Sequence, residues 1–222
     1  LIELSELDQK RAKLAQKKAR LVLDLAKEKL VQGGIETVET HLRNGDFVDT
    51  VTEFQDDADI IVIGKRGEAA DFAKMHLGSN LERLIRSTNR PVLVAARAFK
   101  PINRILVAFD GGRSSHGAVE YVASNKLYAE LECHVVIAGK EGSRGHKQSM
   151  HAENLLKKAG IKYQVFFERG EPEKVISDHV EQHNIDLLVM GAYGHSRIRN
   201  LMIGSTTTQM IRSCLVPVLL FR

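Results

Sequence analysis

Tryptophan is absent from this chain, cysteine occurs twice, proline four times, and aromatic residues make up 5% of the 222 positions. So few aromatics leave no stacking platform for single-stranded nucleic acid. Cys133 and Cys214 both sit in apolar surroundings. They read as buried, reduced thiols of a cytoplasmic protein rather than as a disulfide framework. No apolar run approaches the length of a membrane span. The first residues, acidic and apolar, lack the basic start of a secretory leader. Charge of one sign is also scarce, with 32 Lys and Arg against 28 Asp and Glu, a net of +4. All of that excess lies beyond residue 97, where 16 basic residues face 12 acidic ones. It suits an anionic ligand there, but is too small to point to nucleic acid.

What remains is an ordinary globular composition, 43% hydrophobic and 27% charged, long enough for one large or two small domains. The most informative stretch is VMGAYGHSRIRNLMIGSTTTQMIRS, residues 189–213. The apolar run ending at Met190 reads as a buried strand, Gly191 and Gly194 follow, and Gly204-Ser205-Thr206 opens a helix with Met210, Ile211 and Cys214 on one side. Glycines let backbone N–H groups approach a ligand, and a helix N-terminus offers unpaired donors to an anion. Ser205 and Thr206 can cap the helix or donate to a phosphate, and Arg197 and Arg199 add positive charge. The stretch is neither a P-loop nor a dinucleotide GxGxxG pattern. Its alternative is a strand-to-helix turn whose glycines only permit tight packing.

The spacing Gly191-x2-Gly194-x9-Gly204-Ser205 resembles the ATP-binding signature of the universal stress protein family. An internal duplication extends that resemblance over nearly the whole chain. Gly78 to Pro91 spans the same distance as Gly204 to Pro217, and RSTNRPVLVAAR parallels RSCLVPVLLFR. The joint falls near Ala98–Asn103, which gives a first copy over 1–98 and a second over 103–222.

In the first copy, Ala12, Ala15, Ala19, Val22 and Ala26 mark one face of a long helix that Gly33-Gly34 stops. A strand is expected over Thr37–Leu42, a helix after Asp46, a buried strand over Asp59–Ile63, a helix from Gly78-Ser79 and a last strand after Pro91. The second copy is fuller. Strands are expected near 105–109, 133–138, 162–167, 186–190 and 217–221, with helices between them. Apolar strands alternating with helices imply an α/β fold, a parallel sheet covered on both faces. The resemblance implies a doubly wound, Rossmann-like five-stranded sheet of order 3-2-1-4-5. The first copy begins at what should be its second helix, so the native gene product is expected to have upstream residues. Edge strands seek partners. The resemblance implies that the two final strands pair, giving an internal pseudo-dimer, with a further homodimer open.

In a doubly wound sheet, ligands bind beyond the carboxyl ends of the strands where the winding reverses. That point brings together Asp110, the strand-two end at Ile137 and Ala138, and the loop after Met190. The combination suits ATP, or AMP or ADP: Asp110 toward ribose or base, the strand-two backbone toward adenine, and Gly191, Gly194, Gly204, Ser205 and Thr206 around the phosphates. His195 and Arg197 lie in the same loop. A Mg²⁺ ion is compatible with such a site, since it prefers phosphate oxygens and water to a protein cage. Asp110 can equally be a turn or N-cap residue. The first copy is expected to be a damaged site, with ten residues between Gly67 and Gly78 instead of nine, Asn80 in place of Thr206, and acidic Glu68 and Asp71.

His179 and His183 are one helical turn apart, but no third metal ligand is evident beside them and they read as exposed. No nucleophile with a matched base can be read from the spacings. The resemblance therefore implies a nucleotide-binding stress-response module. The alternatives are a scaffold without nucleotide, or an ATP-using enzyme suggested by a loose likeness of Asp110–Ser115 to the ATP pyrophosphatase loop.

Overall fold

The computed structural model describes residues 2–65, 79–140, 142–192 and 203–222. They form two compact units, Leu1–Asp46 and Phe47–Arg222. The first consists of helix α1 (Ile2–Gln32) and a tail without helix or strand. Gly33 and Gly34 end the helix as expected, Gly34 taking a φ of +92° that other residues avoid. The strand expected over Thr37–Leu42 is not formed; these residues have no regular secondary structure and are mostly exposed. A strand needs a ladder. The corresponding strand of the second copy pairs with one neighbour only, and that neighbour has no counterpart in residues 1–46.

The second unit carries β1 (Ile61–Gly64), β2 (Val92–Ala95), β3 (Arg104–Ala108), β4 (Glu132–Ala138), β5 (Lys162–Glu168), β6 (Leu187–Gly191) and β7 (Val218–Phe221). Its helices are α2 (Phe47–Glu53), α3 (Ser79–Ser87), α4 (Arg113–Ser124), α5 (Arg144–Lys158), α6 (Pro172–Gln182) and α7 (Ser205–Ser213). The fold is α/β, and strands β5-β4-β3-β6-β7 take the expected order 3-2-1-4-5; β1 and β2 of the first copy extend the sheet to seven strands, in the order β1-β2-β7-β6-β3-β4-β5. All pairs are parallel except β2 with β7, where Val92, Leu93 and Val94 lie opposite Leu220, Leu219 and Val218. The two strands that follow Pro91 and Pro217 therefore pair with each other, as expected.

The central strands are buried on both faces. Leu106, Leu188, Leu220 and Val136 pack with Ile176, Met210 and Ile211 on one side. Ile105, Val107, Val135, Val189 and Leu219 pack with Val119, Val122 and Leu156 on the other. Alternate residues of one strand thus feed opposite cores, which is why these strands read as continuous apolar runs. The outermost strands β1 and β5 show partial exposure instead. Helix α5 begins at Arg144 because Ser143 caps it and accepts from the His146 N–H at 3.4 Å.

Candidate functional site

A cleft of about 470 Å³ opens beyond the carboxyl ends of β3, β4 and β6. Strand order explains its position. From β3 the chain winds outward to β4 and β5, then returns to the other side of β3 as β6, leaving a gap between the helices that cover opposite faces. Asp110, Ala138, Met190, Gly191, Gly204, Ser205 and Thr206 line it together. Asp110 and Gly191 are 81 residues apart in sequence, yet β3 and β6 are neighbours, with Ala108 opposite Met190. Ile137 turns the other way into the core beneath α4 and α5, and borders a smaller cavity instead. Val136 takes the cleft-facing place on β4. Gly194, His195 and Arg197 lie outside the described residues, as do Gly67 and Gly78 of the first copy.

The cleft is lined by both apolar and polar residues. Phe109, Val136, Ile176 and Met190 contribute apolar surface, and Ser143, Arg144 and Gly145 bring in the first turn of α5. Neither Ser143 nor Arg144 was among the site residues expected from the sequence. The usable signal was the capping serine after Gly142. On the other wall, Gly204 is the N-cap of α7, with no side-chain cap, and the first helical bond runs from the Thr208 N–H to the Gly204 carbonyl. The expected capping by Ser205 or Thr206 is not made. Both residues lie inside the helix, so their backbone N–H groups belong to its open first turn.

Two expected roles are modified by local bonds. Asp110 Oδ1 accepts from the Gly112 N–H at 2.7 Å and from the Ser115 hydroxyl at 2.7 Å. It organises the turn that starts α4, one of the two readings left open for it. Gly111, with a φ of +71°, brings this turn to α5: a Cβ there would come within 2.9 Å of the Arg144 carbonyl oxygen. Gly191 also has a packing reason, because a Cβ on it would overlap the Ser114 Oγ and lie 3.0 Å from the Ser114 Cβ. Thr206 Oγ1 donates to Glu173 Oε1 at 2.8 Å, and Thr207 Oγ1 to the Gly191 carbonyl at 3.1 Å.

The histidines on α6 differ from expectation. His179 is 1% exposed, and a third imidazole, His134 of β4, stands beside it with Nδ1 2.9 Å from His179 Nε2. Burial lowers the pKa of both, opposed by bonds to Glu132 and Glu168 respectively. The strand-to-helix contact that unites them is invisible at a separation of 45 residues.

The universal stress protein family model matches residues 2–96 and 101–222, two successive segments covering nearly all of the chain. The chain belongs to the universal stress protein family. Universal stress protein Slr1230 of Synechocystis is 43% identical over 224 residues, spanning 100% of this chain and 78% of that one. The crystal structure of a universal stress protein from Archaeoglobus fulgidus superposes with a TM-score of 0.74 at 27% identity, covering 93% of this chain and 77% of the other. A family protein from Arabidopsis thaliana, At3g01520, solved with AMP bound, matches 55% of this chain and 91% of its own at 17% identity and a TM-score of 0.41. Among the described residues of this universal stress protein, no helix is long and apolar enough to cross a membrane.

Proposed function

We propose that this universal stress protein binds an adenine nucleotide, ATP or its hydrolysis product, in the cleft between β3 and β6, and acts as a regulatory binding module rather than as an enzyme. One observation carries the reading: residues picked out by the glycine signature and residues at the end of β3 and β4 line one cleft of ligand size. The phosphates would lie against Gly191, Gly204 and the first turn of α7. Backbone N–H groups at a helix N-terminus suit a phosphate without any dedicated cation. A Mg²⁺ ion would sit on phosphate oxygens and water. The apolar lining residues Val136, Ala138 and Ile176 suit a base. Asp110 would accept from the ribose or base while holding its own turn.

In this reading the chain is a tandem of copies over 1–98 and 103–222, of which only the second binds. The pairing of β2 with β7 supports an internal pseudo-dimer.

Calorimetric titration of ATP and AMP into protein freed of endogenous ligand tests the proposal. Gly204→Val should abolish binding, because a side chain at the N-cap blocks close approach; the φ of −60° at that position suits any residue. Asp110→Asn keeps an acceptor for Gly112 and Ser115 and should weaken binding by roughly 1–3 kcal/mol through loss of charge. If wild type binds no nucleotide at millimolar concentration, or Gly204→Val binds equally well, the scaffold alternative replaces this reading.

A further inference from the structure

Three imidazoles converge where α6 packs on β4. His134 on β4 is 2% exposed, His179 on α6 is 1% exposed, and His183 caps the C-terminal end of α6 half-buried. One ring nitrogen of each lies within 4.8 Å of those of the other two. The His179 and His183 rings stack at 4.1 Å, and Phe166 walls the group, 4.6 Å from His179 between ring centres.

The remaining nitrogens of the buried pair face carboxylates. His179 Nδ1 is 2.9 Å from Glu168 Oε1, and His134 Nε2 is 3.5 Å from Glu132 Oε1. Glu132 is itself held by Arg104, 2.8 Å away, which keeps its carboxyl below the usual range. The chain Glu168–His179–His134–Glu132 thus has three contacts to bridge, while two neutral imidazoles carry two N–H protons. Whichever tautomers form, one contact is left with lone pairs facing each other. A cation between His134 Nδ1 and His179 Nε2 removes the conflict: both protons then go to the carboxylates and both free lone pairs point at the ion. Either a proton or a metal could serve. The third imidazole decides between them, since a shared proton has no use for His183.

We propose that His134, His179 and His183 form a zinc site, with Glu168 and Glu132 orienting the first two rings from behind. Imidazole nitrogens suit Zn²⁺, and a carboxylate on the far nitrogen is the usual outer support of a histidine ligand. Tetrahedral zinc at about 2.0–2.1 Å from each nitrogen sets neighbouring nitrogens about 3.3 Å apart, so the buried pair would part by roughly 0.4 Å. Water completes the shell from the half-buried His183 side. The ion would fasten α6 to β4. Because α6 also supplies Pro172 and Ile176 to the cleft, it would stiffen that wall. The site shares no residue with the nucleotide cleft.

The test is titration of chelator-stripped full-length protein with Co²⁺, followed by competition with Zn²⁺. One equivalent of cobalt should give the intense visible bands of four-coordinate metal, and zinc should displace it and raise the melting temperature. His183→Ala should weaken zinc at least tenfold, and Glu168→Gln by roughly 10- to 100-fold. Both variants should keep the wild-type circular dichroism, and His151→Ala should bind as wild type. A six-coordinate cobalt spectrum, the absence of stoichiometric binding, or unchanged affinity in His183→Ala and Glu168→Gln overturns the proposal. So does a histidine pair that NMR titration shows taking up a proton while the protein takes up no metal.

Discussion

The hydroxyl of Thr206 at the start of α7 is bonded to the carboxylate of Glu173 at the start of α6, Oγ1 to Oε1 at 2.8 Å. A negative charge therefore stands beside the turn proposed to hold phosphate. Glu173→Gln keeps an acceptor for the hydroxyl and removes the charge. ATP should bind it about three- to tenfold more tightly at low salt, and the gain should shrink as salt screens the repulsion. Titration calorimetry at two ionic strengths checks this; an unchanged affinity would place the phosphates elsewhere.

Gly191 and Ser114 bring β6 and α4 into close contact. Gly191→Ala should destabilise the protein by about 1–3 kcal/mol through overpacking. Ser114→Gly in the same chain should recover part of that loss by removing the atoms the new methyl meets. Urea unfolding of the two single variants and the double variant measures the coupling. Strict additivity would mean that the methyl finds space without Ser114.

Backbone hydrogen exchange should separate β2 from the expected strand that did not form. The amides of Val92–Ala95 sit between β1 and β7 and should exchange slowly. Those of Thr37–Leu42 lack a ladder and should exchange at near-random-coil rates. Protection of both segments would show that residues 37–42 have found a partner strand.

The two thiols should be inert in the folded protein. Burial pushes the Cys133 pKa up to about 12. Burial also raises that of Cys214, partly countered by the Val216 backbone and the charge of Lys65. The thiolate is the reactive form, and neither group supplies it near pH 8. Ellman's reagent at that pH should label neither cysteine in native protein and both in denaturant. Rapid labelling of native protein would contradict the burial of these side chains.

The sequence by itself determined the alternation of strands and helices over residues 104–221 and the duplication, and it singled out the glycine-rich stretch after Met190. Those signals are local: apolar runs, glycines at fixed spacing, and prolines before the last strands. It also carried the family, because the signature is long enough to be specific. Pairing of the two final strands was implied by the family resemblance, but only the tertiary structure decided the antiparallel register in which Leu93 meets Leu219, 126 residues away, and joins both copies in one seven-stranded sheet. It likewise decided that Thr37–Leu42 stays without a ladder and that Asp110 holds its own turn. The histidine cluster makes the same point most sharply. His179 and His183 are visible as a pair because a helix repeats every 3.6 residues, whereas His134 joins them only because β4 lies under α6.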